Sequence, residues 1–194
     1  MPVKVSLHGV RNADPQQAAF IGRACELLQA AVNRESFRRR VDQADYSATR
    51  LVDGQGHDIS VPREKVIEFI LAGRESGTED DGEIDLEIEL AKLRSPGTLW
   101  RGVVGATDLG RLPIRTGRWF VEACMKSQDA ISLAAHFMHE WLHAAGFYHE
   151  GGNSARGDVP YVVGEIVQAV LEEEVPGAGT ADRSLARIAL NSAD

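Results

Sequence analysis

The eleven residues His139-Glu140-Trp141-Leu142-His143-Ala144-Ala145-Gly146-Phe147-Tyr148-His149 bring three imidazoles, a carboxylate and a glycine into one short stretch. His139 and His143 are four apart, so on an α-helix they stand one above the other on one face. Their ring nitrogens can then approach one ion at roughly 2.0–2.1 Å, the usual zinc–imidazole distance. Glu140 follows the first histidine by one position, which sets its carboxylate beside a metal rather than in its coordination sphere. From there it can take a proton from a water activated by the ion. Gly146 stands where the helix should stop, since glycine enters a left-handed turn without steric cost. The reversal would return His149 towards the ion as a third ligand. Three protein ligands leave a fourth position open to water, the arrangement of a catalytic rather than a structural zinc site.

The string H-E-x-x-H-x-x-G-x-x-H resembles the signature of the metzincin metallopeptidases. By motif the resemblance runs over about residues 127–165; H-E-W-L-H followed by V-P-Y-x-x-G is similar to small metzincin-like bacterial proteins. It implies an α+β, metzincin-like zincin fold, with a twisted, mostly antiparallel or mixed sheet, backing helices, the active-site helix and a small, mostly helical C-terminal lobe. It implies one catalytic domain over residues 1–194, its upper lobe about 1–146 and its lower lobe about 147–194. The cofactor implied is Zn2+, held by His139, His143 and His149, with Glu140 as general base and then general acid in peptide-bond hydrolysis. The family also places a methionine turn beneath the metal, after the third histidine. Here the methionines are Met1, Met125 and Met138, so a strict methionine turn is absent, and Asp158–Gly164 stands where it would fall. Some members carry a tyrosine after that turn, which ligates zinc or donates to the oxyanion. Tyr161 is the candidate for that role, with a buried structural tyrosine as the alternative; Tyr148 lies too close to His149 on the turn.

Other residues have blander readings. His136 lies near the same helical face, but Glu140, Gly146 and His149 find roles only if His139 and His143 are the helical ligands, so His136 reads as a buried neighbour of the site. Asp158 would either orient a ligand histidine or cap the helix beginning near Val159, and the cap is preferred. His8 and His57 have no companions in sequence. Arg34 to Arg40 reads as a solvated basic turn at a helix end. Glu79 to Glu83 lacks the ligand spacing of a calcium loop. Cys25 and Cys124 belong to no C-x-x-C pair and read as buried thiols, Cys25 within the apolar pattern Phe20, Ile21, Ala24, Leu27, Leu28.

The elements that must position the motif follow from periodicity. Val3 to Val10 reads as a strand. Asp14 and Pro15 open a helix that runs through about Val32, with an extension to Val41 as the alternative. Residues 44–61 read as turn and loop, with Asp53-Gly54-Gln55-Gly56 as breakers, and Pro62 to Ala72 as a short helix ended by Gly73. Ile84, Leu86, Ile88 and Leu90 alternate with acids, a strand with one buried face. Residues 102–106 and 118–123 are further strand candidates around a loop at Pro113, and 101–107 is the candidate edge for an extended substrate. The active-site helix runs from about Gln128 to Ala145, capped by Ser127 or Asp129. Its apolar residues cover nearly every side, which predicts burial. Val159 to Glu174 and Asp182 to Leu190 read as two last helices.

Composition bounds the partners. At 194 residues and 43% hydrophobic, the chain can bury a core without disulfides. Twenty-nine acidic against 21 basic residues, a formal charge of -8, argues against nucleic acid or an anionic membrane. No apolar run reaches the length of a membrane span, and the first residues lack the pattern of a signal peptide, so a cytoplasmic setting is expected. The expected partner is a peptide or protein substrate, with no inhibitory prosegment visible. Two other readings use the same residues: a zinc-binding module without peptidase activity, and a hydrolase of a non-peptide amide. Replacing His143 or His149 by alanine is expected to lower zinc occupancy steeply, since two remaining ligands hold zinc poorly; metal analysis finding full stoichiometric zinc in both variants would exclude this ligand set.

Overall fold

The alternation in β4 (Glu83–Ala91) is the plainest link between sequence and fold: Ile84, Leu86, Ile88 and Leu90 are all buried, while the residues between them are partly exposed. The structure, a computed structural model, describes residues 2–75, 80–93, 104–150 and 157–173. It is a mixed α+β arrangement. In chain order come β1 (Lys4–Arg11), α1 (Pro15–Val32), α2 (Glu35–Gln43), β2 (Arg50–Val52), β3 (Asp58–Ser60), a single 3-10 turn at Arg63–Lys65 and α3 (Val66–Ala72). After β4 follow β5 (Gly105–Ala106), β6 (Ile114–Gly117), α4 (Arg118–Ser127), α5 (Ala130–Ala144) and α6 (Val159–Glu172).

Four strands form one sheet in the order β1-β4-β6-β5. The β1–β4 and β4–β6 pairings are parallel and only β5 runs antiparallel, so of the mostly antiparallel or mixed sheet expected from the sequence the mixed form is the one present. Parallel neighbours need long crossovers, and here α1 and α2 occupy the path from β1 to β4. β5 closes one end of the sheet as a short edge.

α5 packs against α1, α4 and α6 and also touches β4, β5 and β6. Thirteen of its fifteen residues are buried, which accounts for its apolar character on nearly every side. Asp129 caps it, accepting from the Ser132 backbone N–H at 2.9 Å. Trp141 is anchored by Glu75, whose carboxylate accepts from the indole Nε1 at 2.5 Å and from the Asp85 backbone N–H at 3.1 Å. That contact ties α5 to β4.

α1 begins as expected, with Asp14 and Gln17 forming a reciprocal capping box. It stops at Val32 rather than running on to Val41. Asn33 is the reason: its side chain accepts from the Val3 N–H and donates to the Val3 carbonyl, each at 2.7 Å, holding the helix end to the start of β1. The 118–123 segment, expected as a strand, is the start of α4. Its buried residues Phe120, Val121 and Cys124 keep helical spacing, and this tertiary burial overrides the strand preference of an aromatic and β-branched run. The strand lies just before it, as β6, in residues expected to be loop. Helix α3 ends at Gly73 (φ +62), where a Cβ would run into the Glu83 backbone. Both cysteines are free and buried, and burial pushes the Cys25 thiol up to about 12.

The segment expected as loop over 44–61 contains the β2–β3 hairpin, with Asp53–Gly56 as its turn. Residues 101–103 and the helix expected at Asp182–Leu190 lie outside the described residues. Among the described residues no helix is long and apolar enough to cross a membrane.

Candidate metal centre

α5 delivers two of the three histidines, and local helix geometry explains how. The His139 and His143 rings stand 4.9 Å apart by centroid, with their Nε2 atoms 3.2 Å apart. Past Ala144 the chain reverses at Gly146, whose φ is +100. A Cβ there would collide with the Val52 carbonyl, so the residue is required to be glycine twice over, by conformation and by space. The Val52 N–H donates to the Gly146 carbonyl at 2.9 Å, and Leu51 bridges Phe147 in antiparallel fashion. The β2 strand therefore holds the reversal in place. Tyr148 adds a side-chain tie, accepting from Arg50 Nε at 3.0 Å and donating to Asp58 at 2.9 Å. His149 follows and returns to the other two.

The three imidazoles are brought together as the spacing predicts: one ring nitrogen from each of His139, His143 and His149 lies within 4.8 Å of the others. For His143 and His149, hydrogen bonds fix which nitrogen faces inward. His143 Nδ1 donates to the Phe147 carbonyl at 2.7 Å, and a carbonyl can only accept, so Nε2 carries the lone pair. His149 Nδ1 donates to Asp158 Oδ2 at 2.9 Å, which leaves Nε2 as a buried acceptor with no hydrogen-bond partner among the described residues. Lone pairs aimed at a common point repel one another, and a cation between them removes the conflict. The residues present thus fit a metal ion, and an all-imidazole donor set suits zinc, copper, iron or nickel.

Asp158 corrects the sequence reading. It sits at the N-cap of α6, but its side chain makes no capping bond; it orients His149 instead. Its backbone bridges Ala48, and the Gly157 carbonyl accepts from the Ser47 N–H at 2.7 Å, so the segment before β2 positions the aspartate as β2 positions the histidine. Tyr161 lies in the first turn of α6 and is buried. Its ring stacks on His149 with centroids 4.6 Å apart and meets His139 edge-on at 4.8 Å. Pro160 and Tyr161 belong to the helix itself, so the segment placed where a methionine turn would fall is a helix start packed against the imidazoles.

Glu140 is 1% exposed. Its Oε2 accepts from Thr107 Oγ1 at 2.6 Å. Its Oε1 lies against Gly105, where a Cβ would collide with both this oxygen and His136. His136 is buried, shares a 3.2 Å hydrogen bond with Thr116, and has Nδ1 at 3.8 Å from Glu140 Oε1. It stands beside the carboxylate and outside the three-histidine group, as expected. Gly105 and Thr107 lie within the 101–107 segment expected as a substrate edge, but their contacts with Glu140 escaped the sequence reading, because nothing in Val104 to Thr107 points to that carboxylate. A second grouping, His8 with Glu83 and Asp85, lies on the outer face of β1 and β4. There Lys4 and Ser6 engage Glu83, and His8 bonds Asp85 at 2.7 Å. His57 is exposed beside Asp53.

Burial keeps the imidazoles of His136, His139 and His143 neutral. It pushes His143 down to about 4, with His149 assisting and the Phe147 carbonyl opposing. It lowers His139 well below the ordinary value, reinforced by His143, His149 and His136 and opposed by the Pro160 backbone. His136 falls to about 3 for the same first reason. Neutral imidazole is the form that binds metal.

Comparison of the chain with protein-family models, with curated proteins and with solved structures finds no match in any of the three.

Two outcomes are expected from this geometry. Asp158→Ala leaves the fold in place but loses the group that orients His149, so metal affinity falls about 10–100-fold; a competitive chelator titration that finds wild-type affinity would remove Asp158 from the site. The second concerns acid. The unfolded chain protonates these imidazoles near the ordinary value of 6.5, whereas folded His143 resists to about 4 and His136 to about 3. The unfolded state then binds more protons, and the metal-free protein loses stability as pH falls from about 6.5 towards 4. Urea midpoints that hold constant across that window would contradict the burial of neutral histidines.

Proposed function

We propose that this chain is a zinc-dependent peptidase of metzincin-like type, with His139, His143 and His149 holding the metal and Glu140 moving the proton. The observation that carries this reading is the convergence of three imidazole lone pairs beside a buried carboxylate on the same helix. Zinc bound there would supply Lewis acidity, polarising a carbonyl and acidifying a water. The rest belongs to the protein. Glu140 takes the water's proton as the carbonyl carbon is attacked, then gives it to the departing amine. The Tyr161 ring, packed on His139 and His149, keeps their planes in place; a hydrogen bond from its hydroxyl to the oxyanion is part of the proposal.

The substrate class is argued from β5. In the antiparallel register Gly105 faces Thr116, and the Gly117 N–H bonds the Val104 carbonyl. Antiparallel hydrogen bonds alternate along a strand, so the backbone of Gly105 is directed away from β6, towards the edge of the sheet. β5 is the last strand of the sheet among the described residues, and an edge strand can accept the backbone of an extended chain, which favours a peptide over other amides. The edge residue is also the one packed against Glu140.

The near-complete burial of Glu140 favours a second reading, metal binding without hydrolysis. One experiment separates the two. A quenched peptide library incubated with the zinc-loaded chain should be cleaved by wild type and left intact by Glu140→Ala. Zinc bound at full occupancy with no cleavage by wild type would favour the binding module and sink the peptidase.

A further inference from the structure

We infer that Thr107 is a positioning residue for Glu140, and that the short run Gly105-Ala106-Thr107 sets the orientation of the proton-transferring carboxylate. The catalytic part rests on the peptidase reading above. The geometric part stands on the contacts themselves.

Residues two apart on a strand point to the same side. Continuing that alternation past β5 puts the Gly105 and Thr107 side-chain positions both towards α5. Gly105 meets Glu140 Oε1 and Thr107 donates to Oε2 at 2.6 Å. At the first position only hydrogen leaves room for the carboxylate. At the second a hydroxyl supplies a charge-assisted bond of the short kind that an ionised carboxylate accepts. The pair acts as a slot. It fixes the carboxylate's rotation about its last bond. The loop beyond is pinned too, because the Gly110 N–H donates to the His143 carbonyl at 2.8 Å. Thr107 is therefore held between a strand that contacts Glu140 and a loop tied to the end of the metal-binding helix. Its hydroxyl acts through Glu140 and needs no contact with the substrate.

The test compares Thr107→Val, which keeps the shape and removes the donor, with Thr107→Ser, which keeps the donor. In the zinc-loaded full chain, Thr107→Val is expected to lower kcat roughly tenfold to a hundredfold, a part of the general-base contribution. KM should stay within about threefold, since neither edge backbone nor zinc ligands change. Thr107→Ser should hold kcat within about threefold of wild type. Zinc affinity, measured by chelator competition, should be the same in all three.

A second readout needs no activity. Melting midpoints of the metal-free chain are compared for wild type, Thr107→Val, Glu140→Ala and the double variant. Removing the hydroxyl should lower the midpoint by about 3–8 °C when Glu140 is present and by about 1 °C or less when it is alanine. Thr107→Ala serves the same cycle should valine fail to fold. Equal shifts in both backgrounds would overturn the contact whatever the activity. Coupled midpoints with full kcat in Thr107→Val would overturn the positioning role. Coupled midpoints in a zinc-loaded wild type that cleaves nothing would overturn the peptidase reading, and the catalytic role of Thr107 with it.

Discussion

Three imidazole lone pairs directed at one point inside a protein repel one another, and the surroundings cannot relieve them by protonation without burying positive charge. This constraint governs the rest of the structure. Burial holds the His139 and His143 rings neutral. Each outward Nδ1 that donates does so to a fixed acceptor, the Phe147 carbonyl or the Asp158 carboxylate. On the inward side His149 Nε2 has no hydrogen-bond partner among the described residues, and His143 Nε2 meets only His139 Nε2; a cation would satisfy all three. Arranging such a conflict requires a rigid frame, because a flexible site would let the rings swing apart.

The frame is α5, enclosed by sheet and helices. Its two ligands are four residues apart and are set by the helix alone. The carboxylate one residue on from the first ligand is set from outside, by Gly105 and Thr107 at the sheet edge. The third ligand is set by the β2 strand against the Gly146 reversal, and its aspartate by the residues just before that strand. Thus each chemically distinct part of the site is supported by a different element, and the supports lie far apart in the chain, at residues 47–52 and 105–107.

How legible the site was follows from that division. His139, His143 and Glu140 were readable because helix periodicity makes sequence spacing into spatial order. Gly146 and His149 were readable because a positive φ restricts the residue to few types. The alternation of β4 and the Asp129 and Asp14 caps are local in the same sense. What escaped was non-local. Strands β2 and β3 have three residues each, too few for a period of two to show, and their worth lies in what they touch. Asp158 has the sequence context of a cap, and only the position of His149 diverts its side chain. Arg118-Trp119-Phe120-Val121 has strand-forming residues, and only the burial of Phe120, Val121 and Cys124 on one side makes it a helix. The sheet's parallel pairings depend on crossovers that no single stretch encodes.

The clamp of β2 on the Gly146 reversal also bears on the order in which the site assembles. The first two ligands come with one helix, a contact of minimal sequence separation. The third waits for the hairpin to meet a turn on the order of ninety residues later, a long loop whose closure costs entropy before it returns contacts. A nascent chain in which α5 has formed but the hairpin has not docked offers the ion two nitrogens rather than three. If the three imidazoles hold a metal, its capture and this long-range docking would be one event, and the bound ion would act as a cross-link that reports, and rewards, completion of the tertiary structure.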